Sequence, residues 1–290
     1  MSGTHRERDG GPGRLRRLLE WIYALCGIAG YSLNRESRVD PTLAAQTLMA
    51  AISERGSDAA GYCYRGPGLE LRVHKRRAGA SQLLDAISVP EGASQVLVHV
   101  RDYTKGHPSL EANNHPVRHG SVVGVHNGII RNDEEIFASH GFERAARDMT
   151  VDSEAIFALA EEQRSRARAL EELYGSMATA WLDERDADVV FLARGIGRPL
   201  WVGEGRHELF FASTREALEL VERYGGVKLH KREVPEGTLL AAVEGKIVRS
   251  EAFEPDRSFT EEALPAVRAP EERQFCLARL AALATAASGR

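Results

Sequence analysis

The sequence has few cysteines, few aromatic residues and no long apolar run. Its three cysteines stand far apart among 290 residues, too scattered for a disulfide framework, which predicts a reducing compartment, the cytoplasm. No apolar stretch approaches the ~18 residues that a membrane helix needs, so no membrane partner is expected. The formal charge is −4, which gives no reason to expect a nucleic acid as partner. A globular protein of one or two domains is the class that remains.

Composition divides the chain into three parts. Residues 1–25 are predicted to be a leader or propeptide absent from the mature protein: Met1–Gly13 is polar with four glycines, a composition that cannot bury a core, and Leu15–Leu25 could form one short amphipathic helix. Residues 26–254 contain groups of strands separated by helices and form the predicted domain. Residues 255–290 form a tail that begins with prolines and carries one helix, Glu271–Ala287. Antiparallel strand groups with helices between them predict a layered α+β fold.

Six short motifs combine residue types that can carry chemistry with small residues that allow close approach. Asp40-Pro41 predicts the start of one helix, and the possible capping pair of Asn132 with Glu135 predicts the start of another. Helices therefore separate some of these motifs. The loop between the strands Gln95–Arg101 and Ser121–His126 is long, as functional loops often are. In chain order the motifs are Cys26-Gly-Ile-Ala-Gly30, Arg55-Gly-Ser-Asp58, His99-Val-Arg101-Asp-Tyr-Thr104-Lys-Gly106, Asn113-Asn-His-Pro116, His126-Asn127-Gly128-Ile-Ile130 and Asp152-Ser-Glu154.

At these motifs, and in this order, the chain resembles the class II glutamine amidotransferase domain, whose nucleophile is an N-terminal residue. The likeness is greatest to the glutaminase domain of glucosamine-6-phosphate synthase, and it extends from Cys26 to about Phe253. The resemblance implies a four-layer αββα sandwich of the N-terminal-nucleophile hydrolase type. It also implies the hydrolysis of L-glutamine to glutamate and ammonia through a cysteinyl thioester.

The resemblance assigns catalytic roles to three residues. Cys26 is expected to be the nucleophile, with its own α-amino group, of pKa ~7.7–8.0, as the base. The Asn127 side chain and the Gly128 backbone N–H are expected to form the oxyanion hole. Removing one such donor typically lowers the rate ~10²–10³-fold.

The resemblance also assigns the residues that bind glutamine. Arg101 is expected to hold the α-carboxylate in a two-nitrogen fork, which lysine cannot provide. Asp152 is expected to receive the α-ammonium. Thr104 and Gly106 match a mobile loop that closes over the substrate. Two further residues, Arg55 and Asp58, are expected to support the groups that contact it.

The chain departs from this family in two places. Glucosamine-6-phosphate synthases carry a tryptophan and a histidine where this loop has Asp102 and Lys105, so the loop's communication with a partner site is not expected to carry over. In addition, 37 residues follow Phe253, too few for a sugar-phosphate isomerase or a phosphoribosyltransferase domain. The expected ammonia acceptor is therefore a separate synthase chain.

No cofactor and no metal are expected. Five of the ten histidines lie between His99 and His126, but His115 and His119 stand in a loop, and no cysteine or paired carboxylate joins them at ligand spacing. The Gly195-Ile-Gly197 pair precedes a strand, so it does not fit a dinucleotide-binding loop.

Two other functions stay open from the sequence. The same site could hydrolyse γ-glutamyl amides or peptides, or the domain could be a catalytically silent module that senses glutamine. The position of the nucleophile raises a further question, because a cysteine at position 26 has no free α-amino group. Either residues 1–25 are a propeptide removed before Cys26, or the start is misassigned. Both explanations predict a mature protein that begins at Cys26.

Overall fold

The computed structural model describes residues 26–66, 68–260 and 269–288. Residues 1–25, for which the sequence predicts a leader, lie outside these ranges. In the described part of the chain, the strands form two sheets in which every strand pairs antiparallel with its neighbours.

The first sheet has seven strands, and the first strand of the domain is the central one. In spatial order it consists of β11 (His230–Glu233), β9 (Trp201–Glu204), β10 (Glu208–Ala212), β1 (Gly27–Leu33), β4 (Gln95–Arg101), β2 (Ala59–Arg65) and β3 (Leu71–Arg76). The second sheet has six strands. Its spatial order is β13 (Lys246–Ala252), β12 (Thr238–Val243), β8 (Asp186–Arg194), β7 (Gly175–Asp183), β6 (Val122–Ile130) and β5 (Val117–His119).

The helices cover the outer faces of the two sheets. On the first sheet lie α1 (Pro41–Ile52), α4 (Arg215–Gly225) and α5 (Pro270–Ser288), and on the second lie α2 (Asp133–His140) and α3 (Glu154–Gln163). Asp40 caps α1 by accepting a hydrogen bond from the backbone N–H of Leu43 at 2.8 Å, with Pro41 at the first position, as predicted. Left-handed glycines end α2 and α4, at Gly141 and Gly226.

Three apolar clusters separate the four layers. One lies between the sheets and includes Ile28, Leu97 and Val125. A second joins the first sheet to α1, α4 and α5, and a third joins the second sheet to α3. The inner strands β1, β4 and β6 are therefore covered on both faces, and nearly all of their residues are buried, whereas the edge strands β3, β11 and β13 keep exposed polar side chains. The predicted four-layer αββα sandwich is confirmed.

The tail helix α5 is part of this packing. Cys276 and Leu280 are fully buried in the cluster with α1, and Arg273 pairs with Glu54 at 2.9 Å. Phe275 points outward and is exposed. The described part of the tail thus covers the first sheet.

Two local predictions differ from the structure. Asn132 makes no capping hydrogen bond to α2, because its amide instead bonds the backbone of Glu172 and Tyr174 at 2.8 and 2.9 Å. The strand predicted to end at His126 continues to Ile130, so the Asn127-Gly128 pair lies inside β6 rather than after it. None of the helices in the described ranges is long and apolar enough to cross a membrane.

Candidate active site

Cys26 lies immediately before β1, at the end of the first sheet where β4 finishes. Gly27 pairs with Val100, which brings Cys26 beside the end of β4. The Sγ atom lies 3.2 Å from the backbone oxygen of Asp102, to which the thiol donates. The backbone oxygen of Cys26 accepts a hydrogen bond from Arg55 Nε at 2.6 Å. Arg55 therefore supports the nucleophile's backbone, a position consistent with its predicted role.

Gly27 is required by this close packing. A Cβ atom there would lie 2.9 Å from Cβ of Ile52 and 3.1 Å from Cδ of Arg55. Real side chains do not approach so closely, so only glycine lets α1 and the Arg55 side chain reach the strand.

The Cys26 thiol is protonated at neutral pH in this chain. Burial raises its pKa to about 11, which outweighs the lowering by its hydrogen bond to Asp102 and by the positive charge of Arg101. The negative charges of Asp102 and Asp152 raise the pKa further. A base is therefore needed to make the thiolate. Among the described residues, the hydrogen-bond partner of Sγ is a backbone oxygen and not a basic side chain.

Arg101, the last residue of β4, is buried and anchors the loop that follows it. Its Nη1 donates to Asn114 Oδ1 at 2.7 Å. Its Nη2 donates to the backbone oxygens of Lys105 and Gly106 at 2.7 and 2.5 Å. Both hydrogens of Nη2 are thus in use. Each fork of a guanidinium takes one Nη2 hydrogen, so a carboxylate can bind Arg101 through two nitrogens only when one of these backbone oxygens gives way.

The site loop, residues 102–106, lies across this end of the sheet. Asp58 fixes it by accepting a hydrogen bond from the Tyr103 backbone N–H at 3.0 Å. Thr104 is exposed at the loop tip. Gly106 has a φ of +80°, and a Cβ there would lie 2.9 Å from the Cα of Val151, so glycine allows the loop to close against the segment that leads into Asp152.

Asp152 lies in the same neighbourhood and is buried. Its carboxylate accepts hydrogen bonds from the backbone N–H groups of Ile130 at 2.7 Å and Ser153 at 2.9 Å. Burial raises its pKa to about 6, against the lowering effect of these two bonds and of Arg101. A cationic partner would stabilise the ionised form, so the site is suited to an ammonium group.

Asn127 and Gly128 lie in the second half of β6, where they pair with Ala178 and Met177 of β7. The Asn127 side chain is fully buried, and within the described ranges neither Nδ2 nor Oδ1 has a hydrogen-bond partner. Gly128 has a φ of +148°, and a Cβ there would lie 1.9 Å from the backbone oxygen of Ser176. A larger residue at position 128 would force β6 and β7 apart. Only glycine therefore lets the backbone N–H of this residue take its present position.

Three buried histidines tie the two sheets together beneath these residues. His99 Nε2 lies 3.0 Å from the backbone oxygen of His126, and its ring stacks on His115 with centroids 4.1 Å apart. His126 Nδ1 lies 2.8 Å from Ser153 Oγ. Burial lowers the pKa values of His99 and His126 to about 3, so both rings are neutral. These histidines therefore position strands rather than carry charge.

The structure brings most of the sequence-predicted residues to one region. Arg101 and Asp152 are close enough to Cys26 to shift its pKa. Arg55 Nε donates to the backbone oxygen of Cys26, and the Asp58 backbone N–H donates to that of Arg101 at 3.0 Å. His99 links β4, which ends at Arg101, to the strand that carries Asn127 and Gly128. In the described residues, no group of three or more His, Cys, Asp or Glu side chains is arranged to hold a metal ion.

Sequence reasoning missed two residues of this region. Asn114 orients Arg101 and is itself fixed by a hydrogen bond to the backbone oxygen of Pro108 at 2.8 Å. Asn113 accepts hydrogen bonds from the backbone N–H groups of Thr150 and Val151, which joins the loop to the segment before Asp152. The Asn113-Asn-His-Pro116 motif was the available signal, but nothing in its spacing showed what the amides contact.

Comparison with known proteins gives the class to which this site belongs. The sequence profile of the glutamine amidotransferase domain matches residues 104–220, which include the loop tip, Asn127, Gly128 and Asp152. Together with the relatives and structures below, the match shows that the chain belongs to the class II glutamine amidotransferases, with an N-terminal-nucleophile fold.

The relatives are long enzymes that this chain covers in part. The glutamine–fructose-6-phosphate aminotransferase (isomerizing) of Vibrio vulnificus is 33% identical over 214 residues, which are 69% of this chain and 33% of the relative. The Escherichia coli protein of that name is 32% identical over 216 residues, with the same coverage of 69% and 33%. The chain thus spans about a third of the length of these relatives.

A solved structure shows the same fold. The glutamine phosphoribosylpyrophosphate amidotransferase from B. subtilis, complexed with ADP and GMP, superimposes with a TM-score of 0.61 over 79% of this chain and 49% of its own. The two sequences are 20% identical.

Proposed function

We propose that the domain hydrolyses L-glutamine to glutamate and ammonia, with Cys26 as nucleophile. The observation that carries this proposal is the Asn127 amide, which is fully buried and unpaired within the described ranges, next to a glycine whose backbone is held in a conformation that favours glycine. An unsatisfied buried amide costs about 1–3 kcal/mol, so it is expected to have a function. Stabilising an oxyanion is the function that fits an N–H donor of this kind.

The first step makes the thiolate. With the Cys26 pKa near 11, the thiol needs a base, and the α-amino group of Cys26 in a protein that begins at this residue would supply one. The amine takes the Sγ proton, and Sγ attacks the side-chain amide carbon of glutamine. The carbonyl oxygen becomes negatively charged, and the Asn127 amide and the Gly128 N–H donate to it.

The second half of the reaction releases ammonia and then glutamate. The ammonium form of the Cys26 amine returns its proton to the amide nitrogen, the C–N bond breaks and ammonia leaves. A water molecule then attacks the γ-glutamyl thioester through the same oxyanion geometry. The α-amino group of Cys26 accepts a proton from this water and returns it to Sγ as the C–S bond breaks, so the thiol is restored and glutamate dissociates.

Two charged side chains would select glutamine by its α-groups. The α-carboxylate would replace one loop backbone oxygen on Arg101, because it carries a full negative charge and can accept from two guanidinium nitrogens at once, whereas the backbone oxygen is neutral. The α-ammonium would pair with Asp152, whose carboxylate already has two backbone donors but no cation in direct contact among the described residues. Because Arg101 and Asp152 are both buried, each binds strongly only when glutamine supplies the opposite charge, the α-carboxylate for Arg101 and the α-ammonium for Asp152.

The proposal for the ammonia acceptor is based on the names of the relatives. Their name describes transfer from glutamine to fructose 6-phosphate, and this chain covers about a third of them. We infer that the domain passes ammonia to an acceptor site outside residues 26–254, and a separate synthase chain is the form we propose.

Glutaminase activity tests the proposal. The full chain and the form that begins at Cys26 are incubated with glutamine and with γ-glutamyl peptides, and glutamate and ammonia are measured. The form that begins at Cys26 is expected to turn over glutamine and to prefer it to the peptides. Preference for the peptides would favour a γ-glutamyl hydrolase, and glutamine binding without turnover would favour a silent sensing module; either result contradicts the proposal.

A further inference from the structure

Lys105 lies in the site loop, at one of the two loop positions where the chain departs from glucosamine-6-phosphate synthases. Its Nζ lies 2.8 and 2.9 Å from the two carboxylate oxygens of Asp133, the first residue of α2, and 3.1 Å from Glu134 Oε1. The loop follows β4 of the first sheet, whereas α2 follows β6 of the second. One side chain therefore connects the loop to the other half of the sandwich.

Asp133 is a fixed anchor. Its side chain is 1% exposed, and its Oδ2 also accepts a hydrogen bond from Arg144 Nη2 at 2.9 Å. Arg144 in turn bonds Glu154 at 3.2 Å and lies 4.0 Å over the ring of Phe137. The Asp133 carboxylate is already fixed by these contacts, so it loses little side-chain entropy when it binds Lys105. In an exposed ion pair, both side chains would have to be ordered.

Glu134 binds the same ammonium but has a different environment. Its side chain is 79% exposed, against 35% for Lys105. Exposed ion pairs are screened by water and contribute little. Burial lowers the pKa of Lys105, but the hydrogen bonds to Asp133 and Glu134 outweigh this effect, and the net pKa is raised. Lys105 is therefore charged at neutral pH.

The loop needs an anchor that does not compete with substrate. In the unliganded protein Arg101 holds it through the backbone oxygens of Lys105 and Gly106. A glutamine carboxylate that takes a two-nitrogen fork on Arg101 displaces one of them. The Lys105 ammonium is at the far end of its side chain from that oxygen, so its bond to Asp133 can persist while glutamine is bound.

We propose that Lys105 is a positioning residue that latches the site loop, residues 102–106, onto α2 while glutamine occupies Arg101. The inference rests on the proposed glutaminase function for its effect on substrate. Without the latch, the loop keeps its hydrogen bond to Asp58, but glutamine must order the part around Lys105 and Gly106, which weakens apparent binding. The turnover number should change less, because Lys105 contacts neither Cys26 nor Asn127 in the structure.

Lys105→Met, Lys105→Arg and the matched control Glu134→Gln test the latch. Hydrogen exchange is measured on the full chain without glutamine, and KM and kcat are measured on the active protein. Lys105→Met should speed exchange of the amides of residues 103–106 and raise KM for glutamine about fivefold or more, with kcat within about twofold. Glu134→Gln should leave both close to wild type, and Lys105→Arg, which keeps the charge, should restore most of the KM.

Each result decides a different point. Unchanged exchange in Lys105→Met would overturn the latch whatever the protein does with glutamine. Faster exchange with an unchanged KM would overturn its role in substrate binding. An equal effect of Glu134→Gln would also contradict it, because the exposed pair is then as important as the buried one. If the wild-type protein neither binds nor hydrolyses glutamine, the proposed function fails, and exchange alone decides whether the latch exists.

Discussion

Replacing Asn127 by leucine should make the free protein more stable and the enzyme inactive. The Asn127 side chain is fully buried, and both of its polar atoms lack partners in the described structure. A buried group left without its hydrogen bond costs about 1–3 kcal/mol. Leucine branches at the same atom as asparagine and has no polar atom, so the substitution removes this cost. Its two methyl groups are larger than the amide oxygen and nitrogen, and this extra volume offsets part of the gain.

The expected gain in the free energy of unfolding is about 1 kcal/mol, less than the full cost of the unpaired amide because the larger leucine must fit a fully buried position. For a domain of this size, each 1 kcal/mol corresponds to a shift in Tm of roughly 2–4 °C. The glutaminase kcat should fall about 10²–10³-fold, the usual effect of losing one oxyanion donor. Gaining stability while losing activity is the signature of a residue kept for function.

Asn114→Leu is the matched control, because Asn114 is also a buried amide in the same region. Its Oδ1 accepts from Arg101 at 2.7 Å and its Nδ2 donates to the backbone oxygen of Pro108 at 2.8 Å. Leucine at position 114 leaves the Arg101 guanidinium and the Pro108 backbone oxygen without these partners, so the free energy of unfolding should fall by about 1–3 kcal/mol. Denaturant unfolding of the two variants beside wild type measures both effects. If Asn127→Leu lost as much stability as Asn114→Leu, the Asn127 amide would have a partner in solution and the reasoning would be refuted.

Three further changes test other parts of the site and the fold. Cys26→Ala should abolish glutaminase activity with an unchanged circular dichroism spectrum, and a glutamine-analogue electrophile should label Cys26; labelling at Cys63, whose pKa burial raises to about 12, would contradict this. Arg101→Lys in the Cys26→Ala background should weaken glutamine binding by about 1–3 kcal/mol in titration calorimetry, and unchanged affinity would remove Arg101 from the substrate site. Leu280→Ala, in the buried face of α5, should lower the free energy of unfolding by about 2–5 kcal/mol, whereas the exposed Phe275→Ala should change it by less than about 0.5 kcal/mol; equal effects would mean that α5 does not pack as described.

Elements with strong local signals were predictable from the sequence. The Asp40-Pro41 cap and the left-handed Gly141 set helix ends by backbone chemistry that does not depend on the rest of the fold. The short polar strand His230–Glu233 was not predicted, because its pairing with β9, rather than its composition, makes it a strand. The Asn132 cap failed for a similar reason, since a more distant backbone segment competes for its amide.

The candidate site shows the same division. A resemblance spread over ordered motifs indicated Cys26, Arg101 and Asp152, and the fold places these residues within reach of one another. It could not indicate that Arg101 anchors its own loop through backbone oxygens, because backbone acceptors leave no trace in residue identity. It could not predict the contact between Lys105 and Asp133 either, since this pair forms only when the two sheets stack.

The burial of Cys26 leads to a last prediction, about where the active protein begins. A thiol whose pKa is about 11 is ionised only to the order of 10⁻⁴ at pH 7. An α-amino group of pKa ~7.7–8.0 at Cys26 would provide the missing base, whereas the peptide nitrogen that joins it to Leu25 cannot accept a proton. The intact mass of protein expressed from its own gene should therefore correspond to a chain that starts at Cys26. The full chain, with residues 1–25 attached, should be at least about 10²-fold slower than this form, the contribution expected of a general base. A protein that keeps residues 1–25 and hydrolyses glutamine at the full rate would show that another group activates the thiol.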